Sequence, residues 1–222
     1  MKQTPAHDRH NADILRFMPK DLARVVEVGC SSGALARAYT AENPRCDYTG
    51  IEIDPDYAEL ARRACRSVIC ADVELLPDDA FGSLFPSDCW IFGDSLEHLR
   101  DPWAFLKRVR SRLAPGALII ACIPNAQHWS VQVRLNCGEL RYEDQGLLDR
   151  THLRWFTRIT IIDLFQSTGF RILEGASRIA EDPARQRVIP AIRAMATAAG
   201  ADPQLAEQDS LAVQYVVKAT PV

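Results

Sequence analysis

Acidic side chains stand at the ends of short apolar runs along this chain: Glu27 beside Gly29 after Val25-Val26, Glu52 after residues 48–51, Asp72 after 67–71 and Asp94 after 89–93, with Asn125 similarly placed after 117–123. An ionised carboxylate only accepts hydrogen bonds. Such groups at strand ends suit a ligand that presents N–H and O–H groups: an ammonium for Glu27, both hydroxyls of a ribose for Glu52, an adenine amino group for Asp72. Taken singly, an acid after a strand is most simply a helix cap. The repetition, in order along the chain, is what points to a site.

A second group carries proton-transfer chemistry. An imidazole with a pKa of about 6.5 accepts a proton near neutral pH. His152, and then His128, are therefore the candidate bases for a hydroxyl substrate, with Asp94 as a further candidate. Both histidines sit in polar stretches that also hold Trp129, Trp155 and Phe156, and Trp129 follows the fifth apolar run closely enough to line a pocket. The structural alternatives are a loop-fixing ion-pair cluster of Asp149, Arg150 and Arg154, a packing or capping role for His98, and the aromatics as core. Asp94, Glu97 and His98 form the candidate metal cluster, but they open a helix whose N-terminal dipole already favours acids, so no metal is expected.

These groups need a frame to bring them together. Val25-Val26-Glu27-Val28 reads as a strand buried on both faces, broken by Gly29-Cys30-Ser31-Ser32-Gly33 and followed by helical spacing from Ala34. Glycines at 29 and 33 let the backbone approach a ligand, and the N–H groups of the opening helix favour an anionic group. The glycine spacing differs from the Gly-x-Gly-x-x-Gly of dinucleotide-binding turns. A short helix from Asn11 to Met18 precedes this unit. Strands at 48–53, 67–71, 88–93 and 117–123 alternate with helices at 57–65 and 103–113, which argues for a parallel sheet covered on both faces. Residues 124–150 are irregular apart from a helix near 129–135, and a connection that long reads as a lid or substrate insertion. Thr157 caps a helix that ends at Gly169. Strands at 170–174 and 211–219 then flank a helical insertion.

At 222 residues, with 47% hydrophobic and 25% charged residues and a net charge of −3, the chain suits one α/β domain and offers no basic surface for nucleic acid. Its seven cysteines contain no Cys-x-x-Cys pair, which argues against a structural zinc site or disulfide framework and for a reducing, cytoplasmic setting. Residues 1 to 10 read as a disordered lead without an apolar signal core, and no apolar run is long enough to span a bilayer.

The stretch Glu27-Val28-Gly29-Cys30-Ser31-Ser32-Gly33, with Ser31 in place of a middle glycine, resembles the first motif of the Rossmann-like S-adenosylmethionine methyltransferases. Gly50-Ile51-Glu52-Ile53-Asp54, Ala71-Asp72-Val73 and Gly93-Asp94-Ser95-Leu96-Glu97-His98-Leu99 are similar to their second, third and fourth motifs. The resemblance implies a mostly parallel seven-stranded sheet with helices on both faces and the last strand antiparallel. It implies S-adenosylmethionine as cofactor, with the methionine end at Glu27, Gly29, Cys30, Ser31 and Gly33, the ribose at Glu52 and Ile53, the adenine at Asp72 and Val73, and Asp94 beside the methyl group. Within the family, Gly93 to His98, Ile123 to Trp129 and Leu148 to Thr157 resemble bacterial methyltransferases of glycan assembly, while Asp94-x-x-Glu97-His98 is similar to a motif of ubiquinone-biosynthesis O-methyltransferases in which a divalent ion is held. The expected protein is a single methyltransferase domain, with an acceptor-side insertion at about 125–157 and a helical insertion at about 180–205. Its expected substrate is a sugar hydroxyl of a glycan or its precursor. The alternatives are an aromatic or quinol acceptor, or a non-catalytic subunit that binds the cofactor.

Overall fold

The computed structural model describes residues 9–222, so the expected disordered lead falls largely outside the described residues; Arg9 and His10, its last two, are exposed. Helix α1 (Ala12–Phe17) is capped by the Asn11 side chain, which accepts from the N–H groups of Asp13 and Ile14. The nucleotide-fold half follows as β1 (Arg24–Val28), α2 (Ala34–Glu42), β2 (Asp47–Glu52), α3 (Pro55–Ala61), β3 (Ser67–Cys70), α4 (Asp78–Gly82), β4 (Cys89–Gly93), α5 (Pro102–Arg110) and β5 (Leu118–Pro124). The rest comprises α6 (Trp129–Asn136), α7 (Arg158–Ser167), β6 (Phe170–Ile179), α8 (Arg185–Ala198), α9 (Pro203–Leu211) and β7 (Ala212–Pro221).

Among the described residues these strands form one seven-stranded sheet in the order β3-β2-β1-β4-β5-β7-β6. β1 to β5 pair in parallel, and β7 runs antiparallel to both β5 and β6, so the expected architecture holds. The order reverses direction between β1 and β4. The connections from those two strands leave toward opposite sides, which opens a crevice at their carboxyl ends.

Side chains alternate across the pleat. Trp90 and Phe92 of β4 enter one apolar layer with Phe81, Phe105 and Phe165; Cys89 and Ile91 enter the other with Ile14, Tyr48 and Ile120. Burial on both faces explains why the central strands read as continuous apolar runs. All seven cysteines are free, and Cys30, Cys46, Cys65, Cys89 and Cys122 are buried. Among the described residues no helix is long and apolar enough to cross a membrane.

Three local expectations change. β6 continues to Ile179 instead of stopping near residue 174, because β7 supplies it with partners as far as Ala212. As an edge strand with much of its length exposed, β6 carries a polar sequence that periodicity under-reads. α4 forms inside the stretch expected to be loop. The residues around Glu97 make only a 3₁₀ turn, Leu96–His98, and the helix proper begins at Pro102, so the dipole argument for the acids at 94 and 97 loses its helix.

The long insertion is tied down at both ends. Asn125 bridges to Phe156, and the Ala126 N–H donates to the Phe156 carbonyl at 2.7 Å. The Glu97 carbonyl accepts from the N–H groups of both Leu153 and Arg154, at 2.8 and 3.0 Å. Thr157 and Thr160 then form a reciprocal capping box that starts α7.

Gly50 in β2 is needed for close approach: a Cβ there would sit 2.5 Å from the Cys30 Sγ and 3.1 Å from the Cys65 Sγ. Gly50→Ala is expected to cost about 1–3 kcal/mol, the usual penalty of overpacking a core. In the double variant with Cys30→Ala the penalties should sum to less than their parts. Urea unfolding of the four proteins checks this, and strict additivity would remove the contact as the cause.

Candidate active site

A cavity of about 580 Å³ opens at the carboxyl ends of β1, β2 and β4, within the roughly 300–1,000 Å³ typical of small-molecule sites. Its floor is the turn after β1. Gly29 and Gly33 have φ of +73° and +74°, and Ser31 is held at φ 48°, a left-handed conformation that is uncommon for a residue with a Cβ. The turn is clamped from below, where the Gly29 and Cys30 N–H groups donate to the Ile51 carbonyl at 2.8 and 3.2 Å. A Cβ on Gly29 would meet Ser95 Cβ at 3.3 Å.

Glu52 sets the neighbouring wall. It is 3% exposed. One carboxylate oxygen accepts from the Ser31 N–H at 2.8 Å and the other from the Asp54 N–H at 2.9 Å. Each oxygen keeps a lone pair, so the carboxylate is fixed in direction and still able to accept from a ligand. Glu27 lines the cavity more deeply and accepts from the Tyr48 hydroxyl at 3.0 Å. Burial pushes its carboxyl well above the usual range, with the Cys65 thiol and Glu52 adding in the same direction.

The opposite wall joins the end of β4 to the insertion. Among the described residues Asp94 is the other non-glycine residue with a positive φ, 58°, and its carboxylate accepts from Gln214 Nε2 of β7. Strained backbone of this kind is concentrated at sites where a side chain must be aimed. Behind it Glu97 is 1% exposed, and neither carboxylate oxygen has a hydrogen-bond partner among the described residues. Burial holds the Glu97 carboxyl well above its ordinary range, with Asp94 and Asp149 adding to the effect. His152 Nε2 faces Glu97 Oε1 at 3.9 Å, and the His98 and His152 rings meet edge to face with centroids 4.8 Å apart. Desolvation lowers the pKa of both imidazoles, which favours their neutral forms. The carboxylate–imidazole pair and His98 all line the cavity.

The structure thus brings Glu27, Gly29, Ser31, Glu52, Ile53, Asp72, Val73, Asp94 and His152 to one cavity. Several expectations need correction. His128 lies outside the lining: its Nδ1 pairs with the Ser130 hydroxyl at 2.8 Å at the start of α6, and its ring packs on Trp129, which does not line the cavity either. Asn125 is fully buried and ties the end of β5 to the carbonyls of Asp209 and Ala212, both at 2.7 Å, so it does not reach a ligand. Cys30 contributes backbone, because its sulfur packs toward Gly50, and Gly33 lies outside the lining, where a Cβ on it would meet Ala64 at 3.0 Å and the Ala61 backbone at 3.2 Å. Asp72 does line the cavity, but its carboxylate already caps the turn at Glu74 and pairs with Arg100 at 2.9 Å, as the simpler reading of a strand-end acid holds. Among the described residues the expected ion-pair cluster of Asp149, Arg150 and Arg154 is replaced by other contacts: Asp149 accepts from the Thr151 N–H and hydroxyl, Arg150 meets Asp144, and Arg154 donates to the Arg100 carbonyl. The sequence reading also missed Gln214, Arg100 and His10 as cavity residues. No local signal marks Gln214, which reaches Asp94 only because β7 inserts beside β5.

The lining fits S-adenosylmethionine. The glycine turn presents backbone where side chains would obstruct, and two buried carboxylates stand where an ammonium and a ribose need acceptors. A methyltransferase-domain family profile matches residues 6–174. Over 70 residues the chain is 29% identical to the release factor glutamine methyltransferase of Escherichia coli K12, a match covering 32% of this chain and 25% of that protein. The chain therefore spans about a quarter of the curated relatives it matches. An S-adenosylmethionine-dependent methyltransferase from Mesorhizobium loti superposes with a TM-score of 0.60 at 18% identity, covering 94% of this chain and 96% of that one. Another, from Archaeoglobus fulgidus, superposes at 0.63 and 17% identity, covering 94% and 91%. With the family profile spanning more than half of its length and the sheet, glycine turn and acidic wall in place, the chain belongs to the Rossmann-like, class I S-adenosylmethionine-dependent methyltransferases.

Proposed function

We propose that the protein methylates a hydroxyl of a sugar, in a glycan or in a nucleotide- or lipid-linked precursor. The observation that carries this reading is the chemistry of the acceptor wall: His98, Arg100, Asp149, His152 and Gln214 offer hydrogen bonds, and among the described residues the one aromatic ring in the lining besides imidazoles, Tyr57, belongs to α3 beside the Glu52 wall. A polyhydroxylated acceptor suits such a wall better than a planar quinol, which would seek a ring to stack on.

Bound S-adenosylmethionine supplies an electrophilic methyl group on a sulfonium. The chain's part is to bind, align and take up a proton. Glu27 is the acceptor for the cofactor's ammonium, whose positive charge compensates a carboxylate that burial otherwise disfavours. Glu52 receives the ribose hydroxyls with Ile53 beside them, Val73 flanks the adenine with Asp72 at its edge, and the backbone of Gly29, Cys30 and Ser31 cradles the methionine end. Asp94 orients groups beside the reacting methyl. His152, neutral and backed by Glu97, takes the hydroxyl proton, and the closed insertion keeps water from competing.

Turnover of S-adenosylmethionine to S-adenosylhomocysteine against panels of nucleotide sugars, oligosaccharides, catechols and quinols tests the acceptor class. Turnover confined to the aromatic panel would overturn the sugar reading, and cofactor binding without turnover on any acceptor would favour a non-catalytic subunit. Glu52→Ala removes an acceptor whose hydrogen bonds, being to a charged group, are worth roughly 1.5–3 kcal/mol each. Calorimetry should show S-adenosylmethionine binding weakened at least about tenfold, one factor of ten per 1.4 kcal/mol. Unchanged affinity in a folded variant would refute the assignment. His152→Ala should leave cofactor affinity nearly intact while kcat falls by about 10²–10⁴, the range for a lost proton acceptor. A loss of thermal stability with kcat preserved would make His152 a loop residue.

A further inference from the structure

Glu97, His98 and His152 come from two segments more than fifty residues apart, yet their ligand atoms lie within 4.8 Å of one another on the cavity wall. The spacing has a specific meaning. His152 Nε2 and Glu97 Oε1 are 3.9 Å apart, too far for a hydrogen bond. An ion with bonds of about 2.0–2.2 Å holds pairs of donors about 3.0–4.4 Å apart, so the 3.9 Å pair is spaced as two ligands of one ion are, and the third donor, within 4.8 Å, needs at most a small side-chain shift to join them.

The surroundings orient all three groups toward that gap. His98 Nδ1 lies 3.1 Å from both the carbonyl and the hydroxyl of Thr151. That hydroxyl donates in turn to Asp149 Oδ1 at 2.6 Å. The chain of bonds makes Nδ1 the protonated nitrogen of His98 and leaves Nε2 with its lone pair. His152 also bonds the backbone of Leu147, and its Nε2 faces Glu97. A backbone carbonyl or carboxylate-linked partner on the far nitrogen is the usual support of a metal-bound imidazole. Glu97 supplies the anion, with both oxygens buried and without a hydrogen-bond partner among the described residues. A carboxylate so placed is strongly disfavoured unless a proton or a cation neutralises it.

We propose that Glu97, His98 and His152 form a binding site for one divalent first-row transition-metal ion at the acceptor wall. Two imidazoles and one carboxylate favour an ion such as Mn²⁺, Fe²⁺ or Zn²⁺ over Mg²⁺ or Ca²⁺, which prefer oxygen ligands. The cluster differs from the Asp94, Glu97, His98 set of the sequence reading. Asp94 is turned to Gln214, and His152 arrives from the insertion instead. The inference rests on the reading that this wall receives the acceptor hydroxyl, which the ion's charge would acidify. With the ion bound, His152 Nε2 is a ligand and cannot itself take the proton, so the ion's acidification of the hydroxyl replaces the base role assigned to His152 in the ion-free protein; His152→Ala lowers kcat in either case.

Binding is tested on the protein alone, without cofactor or acceptor, so its failure leaves the methyl-transfer reading standing. The probe is MnCl₂, chosen because the exposed thiols of Cys70 and Cys137 compete more strongly for softer ions. After treatment with chelator and its removal, calorimetry and the electron-paramagnetic-resonance signal of free Mn²⁺ should show one saturable ion per chain, and the ion should raise Tm. Glu97→Gln, which keeps the side-chain shape, and His98→Asn should each weaken binding at least tenfold, whereas Asp94→Asn should retain it. A wild type without saturable binding up to millimolar Mn²⁺, or binding equally strong in Glu97→Gln and His98→Asn, would overturn the site and leave Glu97 a protonated acid facing His152.

Discussion

The active end of this protein hangs on the carboxylate of Glu52. Its two oxygens take the N–H of Ser31, in the turn after β1, and the N–H of Asp54, in the turn after β2. Adjacent parallel strands have no short hairpin to hold their ends in register. Here one side chain does so at the edge where the ligand arrives. The left-handed conformation of Ser31 points its N–H at that carboxylate, so local strain and hydrogen bond depend on each other. The same edge contains the reversal of strand order between β1 and β4, and the crevice is a consequence of topology before any side chain is chosen.

Charge at the site is arranged against stability. Glu27 and Glu97 are buried, and their carboxyls are held well above the ordinary range chiefly by desolvation. A core built for stability alone would place apolar side chains there, since buried charge costs more than it returns unless it is fully paired. The two acids stand on opposite walls of one cavity, Glu27 in the cofactor wall and Glu97 in the acceptor wall. On the proposed reading each would gain a cationic partner, an ammonium at Glu27 and a metal ion at Glu97, and binding would then return part of the stability that burying these acids costs.

The insertion between β5 and α7 provides the rest. Its ends are joined by Asn125 and Phe156, and its middle is fastened to the Glu97 carbonyl by two N–H groups. Those bonds put His152 against Glu97 and fix it there with little reliance on an apolar core. Leu153 and Trp155, which follow it, remain substantially exposed. On the proposed reading an acceptor would be met at this rim while the groups that handle its proton stay fixed.

Much of the frame was legible from the residues. The glycine turn, the parallel alternation, the Thr157 cap and the stop at Gly169 follow from rules that act within a few residues, where propensity, capping and the pleat period operate, whereas the antiparallel last strand was implied by the family resemblance alone. Strand-end acids were legible for the same reason, since strands of a parallel sheet deliver their ends to one edge. What each polar group does there was not. Asn125 and Asp72 occupy the same sequence context as Glu52, yet the first is consumed by carbonyls of α9 and β7 and the second by Arg100 and a turn. His128 and His152 both follow β5 in polar, aromatic surroundings, and only the second reaches the cavity. The choice between them, the pairing of Gln214 with Asp94, and the meeting of Glu97 with His98 and His152 were decided by the tertiary structure, because each depends on contacts between segments far apart in sequence. Such contacts are set by how the insertion and β7 pack against the sheet, and no spacing along the chain encodes that geometry.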